Sequence, residues 1–487
     1  MVSALIYGAG EAGRMVLAEL RDRPREKRVV RGFLDDDPSK HGAVVDGVRV
    51  LGGLADLPGL IQRHGVAQVI IAMPSVEKGV VRSIVRTCVS RRVKLLIVPS
   101  TREIIEGSVR FHQIKQIDPG DLLQREQVRI DTGRISRFVE DRRVLVTGAA
   151  GSIGSALVHR LLAYRPRAVA ALDIHENGLF GLQRSLEEGG ALGLTRVVPL
   201  VADIKMRGML RELFQQEQPD IVFHAAAYKH VPLMERNVKM LFLNNVAGTR
   251  TLLELCLEHG VERFIGISTD KAVYPVSMMG RTKRLCELLI KEYALRGLAA
   301  SAVRFGNVLG SNGSVVTVFR EQIQRGGPVT VTSPRMARYF MTLDEAVSLV
   351  LQSATMPGTG DVYVLDMGDP IRIQDLAESM ILLAGLTPGT DVPIRYTGAR
   401  EGEKLSEELF HREAEVFSSD YPGITVEKVA PVEGLTGFLD GMLAGPEEPA
   451  EGDIREAVDT LLDQGFPAEA PVGIDAGAGL EKCLKKG

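Results

Sequence analysis

The sequence of 487 residues has no tryptophan, and its four cysteines are widely scattered, without a Cys-x-x-Cys pair. This usage indicates neither a disulfide framework nor a zinc site, and it is typical of a reducing compartment. No run approaches the ~18 apolar residues of a membrane-spanning helix, and the first predicted strand begins too near Met1 to leave room for a signal peptide. The net charge of −3 gives no electrostatic reason to expect a nucleic acid or an anionic membrane as a partner. We therefore expect a cytoplasmic protein that has no membrane span and binds no nucleic acid.

Two glycine-rich turns organise the chain, and each lies between an apolar strand and a helical pattern. They are Gly8-x-Gly10-x-x-Gly13 and Gly148-x-x-Gly151-x-x-Gly154, and in this context such turns begin Rossmann-like units. We predict an α/β protein with two Rossmann-like doubly wound parallel-sheet domains, the second with a smaller C-terminal substrate-binding part. The predicted divisions are an N-terminal domain at 1–113, a linker at 114–140, a catalytic domain at 141–412 and a partly flexible extension at 413–487.

The second glycine turn is expected to bind a dinucleotide. Its glycines allow a sharp turn and a close approach to a pyrophosphate, which the unpaired N–H groups of the following helix can bind. Asp173 closes the next apolar strand, where a carboxylate accepts hydrogen bonds from ribose hydroxyls and repels a 2′-phosphate, so NAD is favoured over NADP. The first turn, followed by Asp35, is compatible both with nucleotide binding and with a purely structural start of the fold.

Polar residues follow a later strand at its carboxyl end, which is where ligands bind in open α/β sheets. They are Thr269, Asp270 and Lys271. The helical pattern that comes next places Met279 and Lys283 four residues apart, on one face of the helix. A hydroxyl, a carboxylate and two amines are therefore predicted to converge. His224 and His230 lack a third ligand with suitable spacing, so no metal site is expected.

This layout resembles the extended short-chain dehydrogenases/reductases, with one departure. That family has Tyr-x-x-x-Lys on this helix, and Met279 stands where the tyrosine is expected. A thioether can neither take nor give a proton, so the usual phenolate base is missing. Thr269-Asp270-Lys271 together with Met-x-x-x-Lys resembles one branch, the long (CapD-like) UDP-N-acetylglucosamine 4,6-dehydratases of capsule and polysaccharide biosynthesis, in which a methionine is the normal residue here.

The resemblance covers residues 1–410 and implies two sets of binding residues. Arginine suits a pyrophosphate because its planar fork can hold two oxygens. The implied NAD-binding residues are Gly148, Gly151, Ser152, Ile153, Gly154, Asp173, Asp203, Ile204, Ala225, Ala226 and Lys283. The implied residues for a UDP-sugar are Lys229, Asn307, Ser314, Val315, Arg338, Arg400 and Glu403. Glu401 stands where the family has a proline, so the conformation of this turn is not predicted.

The implied reaction is a cycle on UDP-N-acetylglucosamine in which the cofactor is regenerated. NAD⁺ oxidises the C4 hydroxyl, the ketone acidifies the C5 proton, water leaves from C6, and the hydride returns to C6. Thr269 would bind the C4 oxygen, Asp270 would relay protons, and Lys271 would be the base at C5, with retention at C5. For Asp270, a simple ion pair with Lys271 is the alternative.

Two other functions stay open. A C4-epimerase would use the same fold and cofactor without an elimination step. A catalytically silent NAD-binding scaffold of a glycan-assembly complex would account for Met279. The family also leads us to expect a homo-oligomer, and because its long members carry transmembrane helices, the chain could be a soluble part of a membrane-anchored protein.

Overall fold

The computed structural model describes residues 2–22, 28–73, 78–91, 93–97, 115–116, 128–189, 195–311, 313–432, 434–443 and 450–463. Three predictions concern positions that lie largely outside the described residues. They are the domain boundary at 113, the first part of the linker at 114–140 and the end of the C-terminal extension. None of the described helices is both long and apolar enough to cross a membrane.

The first domain is built on a mostly parallel sheet. Its elements are β1 (Val2–Tyr7), α1 (Glu11–Asp22), β2 (Arg28–Leu34), β3 (Val44–Val45), β4 (Val48–Arg49), α2 (Leu57–Arg63), β5 (Gln68–Ile71), α3 (Lys78–Ser90), β6 (Lys94–Ile97) and β7 (Lys115–Gln116). In the described residues the strand order is β2-β1-β5-β6-β7, so the winding reverses beside β1. Leu5, Ile6 and Tyr7 are all fully buried because helices cover both faces of a parallel sheet.

The second domain begins with a longer alternation of strands and helices. Its elements are α4 (Thr132–Val139), β8 (Arg143–Thr147), α5 (Ser152–Leu162), β9 (Ala168–Asp173), α6 (Glu176–Glu188), β10 (Arg196–Val201), α7 (Arg207–Glu217), β11 (Ile221–His224), α8 (Val231–Met234), α9 (Val238–Phe242), α10 (Gly248–Glu258), β12 (Arg263–Thr269), α11 (Met278–Leu295) and β13 (Ala300–Phe305). The parallel order β10-β9-β8-β11-β12-β13 is that of a dinucleotide-binding Rossmann sheet. The predicted fold class is confirmed.

The chain after β13 adds the substrate-binding part and the far edge of the sheet. Its elements are β14 (Asn307–Val308), α12 (Val315–Gln324), β15 (Val329–Val331), β16 (Ala337–Arg338), β17 (Phe340–Met341), α13 (Leu343–Ala354), β18 (Thr359–Leu365), β19 (Ile371–Arg372), α14 (Ile373–Leu383), β20 (Ile394–Tyr396), β21 (Val416–Ser418), β22 (Ile424–Glu427), α15 (Leu435–Leu443) and α16 (Glu451–Asp463). β18 continues the parallel sheet beside β13, and α12, α14, β15 and β20 enclose a separate small core.

Two of the predicted divisions differ from the structure. The segment predicted as a linker contains α4, whose Ile135 and Val139 are fully buried in the core of the second domain. The catalytic domain, predicted to end at residue 412, instead continues through β21 and β22, because β22 pairs antiparallel with β18 and β21 pairs with β22. α15 and α16 then bury Leu439 and Ile454 in the same core as α11.

A fully paired group of charges lies inside the second domain. Arg304 on β13 has no exposed surface, and its guanidinium donates two hydrogen bonds of 2.8–3.0 Å to each of Glu287 on α11 and Glu427 on β22. His411 contacts the same Glu427 carboxylate through its backbone N–H and its ring Nδ1, both at 2.9 Å. Burial opposes ionisation of Glu427, but the bonds from His411 and Arg304 outweigh it and lower the pKa of Glu427 to about 2. These pairs join α11, β13 and the last strands of the sheet.

Replacing Arg304 should destabilise the protein strongly. Arg304→Met removes the cation that two buried carboxylates share and leaves Glu287 only its pair with Arg284, and removing one partner of a buried ion pair costs about 3–5 kcal/mol. Urea denaturation of the variant should show a loss of at least that size in the free energy of unfolding. Arg142→Met is the control, since its ion pair with Glu262 is 42% and 55% exposed and such pairs contribute about 0–1 kcal/mol. Equal losses in the two variants would contradict this account.

Candidate active site

The second glycine turn leaves no room for side chains. Gly148 has φ +71°, and a Cβ there would lie 2.6 Å from the backbone of Ala225 and Ala226 at the end of β11. A Cβ on Gly154 would lie 2.0 Å from the Gly148 carbonyl oxygen. Gly151 is the N-cap of α5 and supplies no side-chain cap. The predicted glycines and alanines therefore form one closely packed cradle at the end of β8.

The first turn of α5 faces this cradle. Ser152 and Ile153 are its first residues, and the N–H groups of a first helical turn have no partner within the helix. Such N–H groups, together with the positive end of the helix dipole, bind phosphate. The position of Ser152 and Ile153 thus fits a pyrophosphate at the N-terminus of α5.

Asp173 at the end of β9 is fixed beside the same turn. Its two oxygens accept hydrogen bonds of 2.9 Å from the backbone N–H groups of Ala150 and His175. Each carboxylate oxygen keeps a second lone pair, which a ribose hydroxyl can use. Asp203 follows β10 and pairs with Lys205, while Ile204 is buried against Gly248 on α10. These residues fit a dinucleotide without a 2′-phosphate.

The first domain repeats this geometry with one added charge. The Ala9 N–H donates to Asp35 at 2.9 Å, as Ala150 does to Asp173, but Lys40 Nζ also lies 3.0 Å from the Asp35 carboxylate. Burial opposes ionisation of Asp35, and these donors outweigh it and lower its pKa. The carboxylate of the first domain is therefore neutralised by a cation. Whether this domain binds a nucleotide stays a prediction.

Replacing Asp173 should weaken NAD binding. Asp173→Asn loses the charge that strengthens hydrogen bonds to ribose, and hydrogen bonds to a charged group contribute about 1.5–3 kcal/mol. Calorimetric titration of cofactor-free protein should show affinity for NAD lowered about ten- to a hundredfold. Glu176→Gln, at the exposed start of α6, should bind NAD like the unmodified protein. Unchanged affinity in Asp173→Asn would rule out the assigned ribose contact.

The predicted polar cluster does form at the end of β12. The Thr269 hydroxyl and Lys271 Nζ both donate to Asp270 Oδ1 at 2.9 Å. Lys271 Nζ also donates to Asn307 Oδ1 at 3.4 Å, which brings the predicted substrate residue Asn307 into the cluster. Asp270 is fully buried, and its Oδ2 has no hydrogen-bond donor in the described part of the chain. The cluster thus holds a buried carboxylate oxygen that is available as a proton acceptor.

The two helical residues are both buried, and Lys283 reaches the end of β12. Lys283 is 7% exposed, and its Nζ donates to the Ile267 carbonyl oxygen at 2.8 Å, two residues before Thr269. Burial lowers the pKa of Lys283, with smaller opposite effects from Cys286 and Glu287. Met279 is 2% exposed and packs into the core. The helix therefore supplies a cation at the strand end and an apolar side chain in place of a base.

Glu407 is a member of the cluster that sequence reasoning missed. It is 5% exposed, and its Oε1 lies 3.9 Å from Lys271 Nζ and 3.8 Å from the guanidinium of Arg338. Burial raises the pKa of Glu407, an effect that Asp270 reinforces and the cation of Lys271 opposes. Glu407 stands among several glutamates in the 400–408 run, and nothing in that pattern indicates which of them is buried.

The remaining predicted substrate residues lie on several different elements. Arg338 donates to the carbonyl oxygens of Lys404 at 2.8 Å and Leu405 at 3.2 Å, so much of its fork is bound to backbone. Arg400 and Glu403 hydrogen-bond to each other within a separate exposed turn. Three others lie on loops or at the start of a helix: Lys229 is exposed after β11, Ser314 is the N-cap of α12, and Val315 is the first residue of α12. Their contacts with a substrate stay predictions.

Two residues near the site have supporting roles. His224 is buried between the hydroxyls of Thr147 and Thr249, at 2.7 and 2.9 Å, and burial lowers its pKa to about 3, so it is neutral. Asn245 lies in the π-helical turn between α9 and α10 and bonds both the N–H and the carbonyl oxygen of Tyr228. π-Helical turns are frequent at functional sites. Asn245 holds the loop after β11 against the start of α11.

Comparison with known proteins places the chain among sugar-polymer biosynthesis proteins. Residues 144–429 match the family described as polysaccharide biosynthesis protein, and residues 2–99 match one described as CoA-binding domain. The probable polysaccharide biosynthesis protein EpsC of Bacillus subtilis (strain 168) is 38% identical over 93% of this chain and 75% of its own length. The capsular polysaccharide biosynthesis protein CapD of Staphylococcus aureus is 38% identical over 84% of this chain and 69% of its own. The X-ray structure of Pen from Bacillus thuringiensis is 29% identical, with a TM-score of 0.54 over 59% of this chain and 90% of that one.

Proposed function

Because the chain belongs to the polysaccharide biosynthesis protein family, we propose that it is an NAD-dependent enzyme that dehydrates a nucleotide-sugar. The substrate we propose is UDP-N-acetylglucosamine, and the product is its 4-keto-6-deoxy derivative. The observation that carries this proposal is the cluster of Asp270, Lys271 and Lys283 at the carboxyl end of β12, beside a dinucleotide cradle. Elimination of water needs groups that move protons, and this cluster provides them.

NAD would be held by the glycine turn, Asp173 and Lys283. When bound, it accepts the hydride from C4 and returns it to C6. Lys283 is held at the strand end by the Ile267 carbonyl oxygen, which leaves two of its ammonium protons for other acceptors. Its positive charge favours the loss of a proton from a neighbouring hydroxyl.

Thr269 and Asp270 would handle the C4 hydroxyl. The Thr269 hydroxyl hydrogen-bonds the C4 oxygen of the sugar. Asp270 takes the proton of the C4 hydroxyl through its Oδ2, which has no donor among the described residues. The same proton then leaves with the C6 hydroxyl as water. One carboxylate can serve both steps because the proton removed from O4 is the one that the leaving hydroxyl needs.

Lys271 would act at C5. Once C4 is a ketone, the C5 proton is acidic, and a neutral amine close to it can remove it. Asn307 and Asp270 hold the lysine nitrogen from two sides, so its approach to the sugar is fixed. Return of the proton by the same nitrogen to the same face gives retention at C5.

Met279 is compatible with this division of roles. Its side chain packs in the core and takes no part in proton transfer, since the groups proposed to act on the C4 hydroxyl and at C5, Asp270 and Lys271, come from the end of β12. Lys229, Asn307, Ser314, Val315, Arg400 and Glu403 are the proposed contacts of the UDP-sugar. For Arg338 we propose that it holds the 404–408 segment in place, because its fork already binds that backbone.

Incubation with UDP-N-acetylglucosamine and NAD in deuterated water tests the proposal. The nucleotide-sugar should lose one water and take up one deuterium at C5, because the C5 proton exchanges with solvent before the hydride returns. Mass spectrometry of the product measures both changes. An unchanged mass with a changed C4 epimer ratio would identify an epimerase. If a panel of UDP-sugars showed neither change, the silent scaffold would replace the dehydratase.

Variants of the cluster should separate the individual steps. Asp270→Asn cannot take the first proton, and turnover should fall about 10²- to 10⁴-fold. Lys271→Met should abolish both deuterium uptake and loss of water. Met279→Leu is the control and should stay within a few-fold of normal turnover, because a volume-conserving core exchange costs less than about 1.5 kcal/mol. Near-normal turnover in Asp270→Asn, or loss of water in Lys271→Met, would refute the assigned roles.

A further inference from the structure

Lys271 has three polar neighbours from separate parts of the chain: its Nζ donates to Asp270 at 2.9 Å and to Asn307 at 3.4 Å, and Glu407 Oε1 lies 3.9 Å from it. Asp270 belongs to β12's own turn, Asn307 begins β14, and Glu407 comes from the substrate-binding part. An ammonium has three protons to donate, so after Asp270 and Asn307 a third proton remains that can point to the Glu407 carboxylate. Among these acceptors Asp270 and Glu407 are carboxylates, and both are almost completely buried.

The segment that carries Glu407 is held to the catalytic turn. Lys404 Nζ donates to the carbonyl oxygen of Val273, three residues after Asp270, at 2.8 Å. On the other side, the Ala337 N–H and the Arg338 guanidinium bind the carbonyl oxygens of Leu405 and Lys404. Glu407 is therefore placed beside Lys271 by a segment whose residues Lys404 and Leu405 are held from two sides.

Glu407 also has an oxygen without a donor. Its Oε2 is buried and accepts no hydrogen bond from the described residues, and Lys404 Nζ approaches it only to 4.0 Å. Leaving a buried carboxylate oxygen unsatisfied costs free energy, and such groups in a folded protein call for an explanation in function. An oxygen in this state is ready to take up a proton.

The proposed reaction needs such an acceptor. When the C5–H bond breaks, Asp270 already carries the proton from O4, so it cannot also take a proton from Lys271. The lysine must nevertheless be neutral to act as a base. A second carboxylate in contact with the lysine resolves this, and in the described part of the chain Glu407 has that contact.

We propose that Glu407 is the positioning residue of Lys271, which it orients and from which it accepts a proton before the C5–H bond breaks. This inference rests on the proposed function. The ammonium passes one proton to the Glu407 carboxylate, and the neutral amine takes the C5 proton. The electron pair of the C5–H bond becomes the C5–C6 double bond as the C6–O bond breaks, and Asp270 protonates the leaving hydroxyl. After the hydride reaches C6, Lys271 returns its proton to C5 and regains the one held by Glu407.

The pH profile of turnover is the first test. In the unmodified protein the proton moves within the pair, so turnover should be flat between about pH 6 and 9. In Glu407→Gln the lysine must release its proton to solvent, so turnover should be lower and should rise about tenfold per pH unit. The other groups that face Glu407, namely Asp270, Arg338 and Lys404, are unchanged in this variant.

Matched variants separate this role from a structural one. Glu408→Gln changes the neighbouring carboxylate, which is 40% exposed and pairs with Lys404, and it should leave the flat profile intact. Glu407→Asp keeps a carboxylate and should restore the flat profile at a reduced rate. A Glu407→Gln profile that is lowered equally at every pH would overturn the proposal.

Chemical labelling provides a readout that does not depend on turnover. In Glu407→Gln, Lys271 can give up its proton only to solvent, as in the turnover test. Acylation of Lys271 by an amine-selective reagent, followed by peptide mass spectrometry, should therefore be several-fold slower in Glu407→Gln at pH 7, and unchanged in Glu408→Gln. If no UDP-sugar is turned over, the proposed function fails. The labelling still tests whether Glu407 acts on Lys271. Equal labelling in the unmodified protein and Glu407→Gln would refute it.

Discussion

The pairing of Arg304 with Glu287 and Glu427 is the constraint on which the rest of the second domain depends. Burying these charges is favourable only if every one of them is paired and hydrogen-bonded. The pairing requires α11, β13 and β22 to keep one relative position. Lys283 lies one helical turn before Glu287, and Asn307 lies three residues after Arg304. A buried network behind the site thus sets the distances within it.

The same contact between a glycine turn and a carboxylate occurs in both domains, but the charge around the carboxylate differs. In both domains a carboxylate at the end of the second strand accepts an N–H from the glycine turn. Among the described residues, Asp173 accepts from backbone N–H groups alone, whereas Asp35 is also paired with Lys40. A bare carboxylate repels a phosphate on the ribose, and a neutralised one does not. The two glycine turns therefore differ in the charge of the carboxylate beside them.

In the proposed mechanism, the acid–base groups lie away from the helix position that a tyrosine would occupy. In a Tyr-x-x-x-Lys arrangement the base stands on the helix, but Met279 makes that position apolar and buried. The groups that can carry protons then come from the end of β12 and from the 404–408 segment of the substrate-binding part. In the proposed mechanism, the chemistry consequently depends on how that segment docks against Val273 and Arg338.

Local features were open to prediction from the sequence by itself. The two glycine turns, Asp173, the run from Thr269 to Lys271 and the four-residue spacing of Met279 and Lys283 are all short patterns, and short patterns determine strand ends, turns and helix faces. They determined the doubly wound fold and the polar cluster at β12. Only the tertiary structure decided the place of Glu407, the binding of Arg338 to backbone, and the addition of β21 and β22 to the sheet. These depend on contacts between segments far apart in the chain, where burial and pairing are decided by what packs against a residue and not by its neighbours in sequence.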